Sequence, residues 1–180
     1  MAFFRNSAVN LLNLHYGIFA MVMNGAGIFI CVYLLKAGVP APGVLAAMAA
    51  ILLARFFIRP AIVRFAVRLG LQRMLIAGTV LMSFQYPILA FVHGANAALY
   101  LMILAAAIGD TVYWSCYHAY MAALGDHEHR GQQISMREAI AAMAGIVSPI
   151  LTGWLLITFG PLAAFGVASA INLTAMVPLF

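Results

Sequence analysis

Charge is scarce in this 180-residue chain: only 7% of its residues are charged, and four of them are acidic. Soluble domains carry about 25% charged residues, so the composition excludes a soluble globular protein. Cysteine is scarce as well, and Cys31 and Cys116 lie in different apolar segments at different predicted membrane depths, so we expect no disulfide. What the chain has instead is apolar surface, with 66% hydrophobic residues. It is therefore predicted to be an integral membrane protein.

Six apolar segments, each bounded by charges or turn residues, account for nearly the whole sequence. A helix that crosses a bilayer needs about 20 apolar residues. The predicted spans lie at about 13–35, 42–62, 74–92, 97–124, 137–159 and 161–180. We expect an all-α integral membrane protein in which residues 1–180 form a single bundle of six transmembrane helices, with the lipid bilayer as its surroundings.

Basic residues are distributed unevenly between the two sides of this predicted bundle. The N-terminus and the loops after the second and fourth helices hold seven arginines, whereas the other side holds only Lys36. The positive-inside rule then predicts that the N and C termini are cytoplasmic and that the protein is a multi-pass protein of the inner (plasma) membrane. Because topology accounts for the net charge of +5, we expect no nucleic-acid partner. The seven are Arg5, Arg59, Arg64, Arg68, Arg73, Arg130 and Arg137.

The predicted sixth span is still apolar at Phe180, where the sequence stops. A natural terminus usually carries a few polar residues beyond the last span. The pattern is typical of a sequence that has been cut.

Two charges are predicted to lie inside the membrane, and such residues are functional candidates by default. Arg55 follows the start of the second span by 13 positions, about 20 Å at 1.5 Å per residue, and Asp110 lies about 18 Å into the fourth. Their depths match, so we predict that Arg55 and Asp110 form an ion pair. Two interpretations of the pair stay open: a static contact that fixes helix packing, or a contact that opens when a proton or a substrate arrives. A third possibility is that the two do not meet.

The fourth helix also carries a stripe of aromatic residues. At 3.6 residues per turn, Asp110, Trp114 and Tyr117 share one face, which suits the wall of a polar cavity. The alternative is anchoring at the membrane interface, where Tyr and Trp collect.

Polar residues in the first helix allow two interpretations as well. Asn24, near the middle of the membrane, is either a hydrogen-bonding partner of a neighbouring helix or a substrate ligand. His15 and His118 fall in the same third of the membrane and would meet if the first and fourth helices are neighbours. They either relay protons or serve as packing residues.

Enzyme chemistry finds little support in the sequence. His127-Glu128-His129 is the nearest approach to a metal site, but no further ligand lies nearby, and catalytic zinc needs three protein ligands. Neither a hydrolase elbow nor a phosphate loop nor an HExxH motif is present. We expect a protein that is not an enzyme and that has no cofactor and no bound metal.

Several motifs from the fourth helix onward follow one another in a familiar order. They are Tyr113-Trp114-Ser-Cys-Tyr117-His118-Ala-Tyr120, Arg130-Gly131-Gln-Gln-Ile-Ser135, Ser148-Pro149-Ile-Leu-Thr152-Gly153 and Phe159-Gly160. With the basic loop after the second helix, the chain resembles the N-terminal half of a major facilitator superfamily transporter over essentially its whole length. The superfamily's motif in that loop is reduced here to Arg68-Leu69-Gly70, with Val67 where the motif has an aspartate.

The resemblance implies a function and a partner. Such transporters have two six-helix halves with the substrate between them. The first and fourth helices line that cavity, which places Asn24, Asp110, Trp114 and Tyr117 toward it. We expect secondary active transport of a small solute by alternating access, which needs a second six-helix half or a second copy. The loop residues Arg68, Gly70, Arg130 and Gly131 are further site candidates. The alternative is a six-helix membrane scaffold or regulatory protein that does not transport, and nothing identifies a substrate.

Overall fold

The computed structural model describes residues 6–125 and 128–180, so Arg5 and His127 lie outside the described residues. Within these ranges the chain forms helices joined by short turns, and no strand. The helices are α1 (Ser7–Gly25), α2 (Ile30–Lys36), α3 (Ala41–Leu69), α4 (Leu71–Leu89), α5 (Ala97–Leu124), α6 (Arg130–Thr158) and α7 (Gly160–Thr174). A 3-10 turn links α1 to α2, so these two run as one segment and the bundle has six helical segments. The all-α, six-helix prediction is confirmed.

Five of the six segments are long and apolar enough to cross a membrane, and α4 is the exception. Its polar side chains, among them the buried Thr79, Ser83 and Gln85, lower its mean hydropathy. The same helix is the one most enclosed by protein, because it packs along α5 on one side and α7 on another. A helix that is shielded from lipid by its neighbours can carry polar groups at low cost, since those groups find partners inside the bundle.

Two glycines allow α4 and α5 to approach closely. A Cβ atom on Gly78 would lie 2.7 Å from the backbone nitrogen of Tyr113, and one on Gly109 would lie 3.0 Å from the backbone nitrogen of Met82. Backbones at this distance exclude any larger residue, as is common where membrane helices pack. This close contact fixes the position of α5 relative to α4, and with it the side chains that α5 carries.

The helices α3 and α6 extend past the predicted ends of the second and fifth spans. α3 continues to Leu69, and α6 begins at Arg130 rather than near residue 137. Arginine is a good helix former, so a charge that ends an apolar run does not end the helix. Gly70 ends α3 because its φ of +88° lies in the region that glycine alone enters freely.

The surfaces of α3 and α6 are the most open in the bundle. Only three residues of each 29-residue helix are buried, and apolar side chains cover their outer faces. On α3 these include Phe56 and Phe57, and on α6 they include Ile150 and Ile157. Apolar faces of this size require contact with lipid or with another apolar surface.

Candidate functional site

The two charges inside the membrane are in contact. Nη1 of Arg55 on α3 forms an ion pair with Oδ2 of Asp110 on α5, and both side chains are largely buried, at 25% and 16% exposure. The indole of Trp114, one turn along α5, donates a further hydrogen bond to the Asp110 carboxylate. The pairing predicted from equal depths is confirmed. A charge in this environment would be strongly destabilising without its partner.

A cavity of about 440 Å³ lies on one side of this pair, toward the α2–α3 and α4–α5 turns; we call it the upper cavity. Residues from α1, α2, α3, α4 and α5 line it. Most are apolar, but Asn24, Gln85 and Asp110 bring two amides and a carboxylate to one space. Asn24 uses its amide nitrogen within its own helix, donating to the carbonyl oxygen of Ala20 at 2.9 Å. Its own carbonyl oxygen remains available for a ligand or water.

A second cavity of about 470 Å³ lies on the other side of the pair, between α3 and α5; we call it the lower cleft. Arg55 and Arg59 line it from α3, and Trp114, Ser115 and His118 line it from α5. Asp110 thus borders the upper cavity and Arg55 borders the lower cleft. The ion pair stands between two spaces that lie at different depths of the same bundle.

His15 lies at the centre of a group of rings and is completely buried. Its Nδ1 lies 2.7 Å from the carbonyl oxygen of Ala175, and its Nε2 lies 3.2 Å from the hydroxyl of Tyr113. A carbonyl only accepts, so Nδ1 carries the hydrogen and Nε2 of the neutral ring accepts from the tyrosine. His15 therefore joins α1 to α5 and to the segment after α7. This arrangement favours packing over proton relay among the two interpretations of His15.

The aromatic residues of α5 fall into two groups, one at the lower cleft and one in the buried cluster of rings around His15. Trp114 borders the lower cleft, whereas Tyr117 is completely buried and stacks on Tyr113 with 5.7 Å between ring centroids. Tyr117 lines neither the upper cavity nor the lower cleft. Its ring lies between His15 and His118, at 6.3 and 5.7 Å from their centroids, so it separates the two histidines.

Arg137 is a residue that the sequence interpretation placed at the membrane boundary and that the structure brings into the bundle. Because α6 begins at Arg130, Arg137 lies two turns inside the helix. Its guanidinium carbon stands 5.3 Å from the ring centroid of Tyr16 and 5.9 Å from that of Tyr117. Glu138 accepts its hydrogen bonds at the exposed side. Arg137 thus joins α6 to α1 and α5 through cation–π contacts.

The four loop candidates occupy the two connections at the same end of the bundle. Arg68 lies in the last turn of α3, and Gly70 forms the turn into α4. Arg130 begins α6 and donates to the carbonyl oxygen of Ala122 near the end of α5, at 3.2 Å. The next residue is Gly131, where an added Cβ atom would meet no neighbour within 4 Å. Arg130 therefore ties α6 to α5, while Arg68 is a surface charge.

Two further polar residues were not identified as candidates from the sequence. Gln85 joins Asn24 and Asp110 at the upper cavity, and the signal for it was a polar residue in an apolar segment. Asn172 on α7 is completely buried and donates to the hydroxyl of Ser83 on α4 at 3.0 Å. Within residues 6–125 and 128–180, no three His, Cys, Asp or Glu side chains are placed to hold a metal ion.

Comparison with known proteins gives one clear match. A family model described as Major Facilitator Superfamily matches residues 12–180. None of the curated proteins compared with the chain matches it.

Proposed function

The chain belongs to the Major Facilitator Superfamily of membrane transporters, and we propose that it carries a small solute by secondary active transport, with Asp110 and Arg55 as its coupling switch. A carboxylate and a guanidinium that neutralise each other within a bundle attract each other only while the carboxylate is charged. When Asp110 takes up a proton it loses its charge, and the attraction that holds α3 against α5 falls. Arg55 then turns away toward the lower cleft. The observation that carries the proposal is the placement of this pair between two cavities.

Alternating access requires a second six-helix bundle, supplied by the same chain or by a second copy. In the superfamily's architecture the second and fifth helices, here α3 and α6, meet the other half, and the open apolar faces of these two helices support that placement. The two bundles would rock about a solute site between them. We propose, from the distribution of arginines, that the end of the bundle carrying Arg64, Arg68 and Arg73 is cytoplasmic and that the membrane is the inner (plasma) membrane.

Solute-driven proton movement tests this function. The protein is reconstituted into vesicles that enclose a pH-sensitive dye and are exposed in turn to sugars, amino acids, carboxylates and organic cations. We expect one of these classes of solute to change the pH inside the vesicles. The Asp110→Asn variant is expected to lose this response, because an amide takes up no proton.

The matched control for this experiment is Glu138→Gln, which removes a carboxylate that is 58% exposed at the edge of the bundle. It is expected to respond like the parent protein. If Asp110→Asn moves protons with the solute as the parent does, Asp110 is not the coupling carboxylate.

A further inference from the structure

The upper cavity and the lower cleft meet at one ion pair inside a single bundle. We propose that the coupling proton passes through this bundle itself, entering by the upper cavity and leaving by the lower cleft. The inference rests on the proposed function, and it adds the route and the side from which Asp110 is reached. Cys31 lines the upper cavity and is exposed.

Water is the medium that such a path requires. A cavity of about 440 Å³ has room for several water molecules, provided that polar groups hold them. Asn24, Gln85 and Asp110 supply these groups from three different helices. A row of waters held by the two amides would reach the Asp110 carboxylate directly.

The lower cleft offers the exit. Arg55, Arg59, Ser115 and His118 line it, so a guanidinium that leaves Asp110 has polar side chains beside it. Besides Asn24 and Gln85 at the upper cavity, Asp110 interacts with Arg55 from α3, Trp114 from α5 and Tyr86 from α4. None of them is a second carboxylate, so a single proton decides the charge of the site.

The proton balance of the cycle is simple. A hydronium ion in the upper cavity gives its proton to a carboxylate oxygen of Asp110 and becomes water, and the ion pair with Arg55 is lost. When the bundle has switched, the carboxylic acid gives the proton to water in the lower cleft. Arg55 then returns to the carboxylate, and no other group is oxidised, reduced or transferred.

A substrate-free test uses the indole that contacts Asp110. In a Trp154→Phe, His118→Gln variant, Trp114 is the remaining tryptophan of the chain and no longer stacks on a titratable imidazole, so its fluorescence reports the charge of Asp110. The variant is reconstituted into vesicles, and the pH is lowered on the side from which a sulfonated maleimide, which does not cross membranes, reacts with Cys31. We expect a fluorescence change that is lost once Cys31 carries the bulky reagent. Cys116 is completely buried and is expected not to react.

Two controls separate the possible failures. A Cys31→Ser variant is compared with itself before and after the reagent, and the two responses are expected to agree. An Asp110→Asn variant is expected to show no response. A full response after complete modification of Cys31, or a Cys31 that reacts from neither side, overturns the proposed route while leaving the switch intact. A response that Asp110→Asn shares with its parent overturns the route and the proposed function together.

Discussion

The hydroxyl of Tyr113 on α5 donates a hydrogen bond to Nε2 of His15 on α1, across 3.2 Å. The opposite nitrogen of the same ring donates to the carbonyl oxygen of Ala175, so one side chain holds three separate parts of the bundle together. The His15 ring is fully buried and lies beside the stacked rings of Phe19 and Tyr113. His15 therefore fixes the lower half of the bundle, while the Arg55–Asp110 ion pair lies further up α5.

We predict that His15→Phe destabilises the bundle. The new ring fills the space but leaves the Tyr113 hydroxyl and the Ala175 carbonyl without a partner, and each unpaired buried group costs about 1–3 kcal/mol. The apparent melting temperature of the protein in detergent is the measurement. His118→Phe is the matched control, because His118 is exposed. Equal melting temperatures for the two variants would show that the hydrogen bonds of His15 contribute nothing.

Gly78→Ala is expected to separate α4 from α5. The added methyl group would meet backbone atoms of Tyr113, which cannot turn away, and overpacking of this kind costs about 1–3 kcal/mol. The yield of monodisperse protein should fall. Gly166→Ala serves as control, since a Cβ there meets nothing within 4 Å. An equal loss of yield in both variants would show that replacing any helical glycine lowers the yield, and that the contact of Gly78 with Tyr113 is not the cause.

Asn172→Leu is expected to weaken the packing of α7 on α4. The substitution removes the donor to the Ser83 hydroxyl and to the carbonyl oxygen of Thr79, two buried groups inside the bundle. Limited proteolysis in detergent should then cut near α7 sooner than in the parent protein. Thr174→Val, at an exposed position of the same helix, should not change the rate of cleavage. Unchanged cleavage of Asn172→Leu would contradict the proposed contribution of this contact.

Joint replacement of Arg55 and Asp110 by leucine distinguishes a transporter from a scaffold. Breaking a buried pair by removing one charge costs about 3–5 kcal/mol, whereas replacing both with apolar groups is often neutral or stabilising. We therefore expect Asp110→Leu to lower the melting temperature and the double variant to recover it. The recovered protein should not transport. Retained function in the double variant would favour the scaffold.

The features that sequence alone predicted are those set by composition and depth. Six helical segments follow from apolar runs, and the Arg55–Asp110 pair follows from equal distances along two spans that start on the same side of the membrane. What sequence could not supply was the rotation of each helix and its neighbours. Tyr117 shares a face with Asp110 by periodicity, yet α1 covers it, while the helical extension at the start of α6 brings Arg137 onto its ring. The roles of Gln85 at the upper cavity and of Asn172 in the contact with Ser83 depend on which helices pack against them.

Exchange of the two charges, Arg55→Asp with Asp110→Arg, tests whether the ion pair couples proton movement to solute transport. The swap preserves an ion pair between α3 and α5 but moves the carboxylate from the upper cavity to the border of the lower cleft. The measurement is solute-driven proton movement in vesicles, made on protein whose melting temperature matches that of the parent. We expect the swapped protein to fold and to move no protons with the solute. Proton movement equal to that of the parent would show that the pair only holds two helices together.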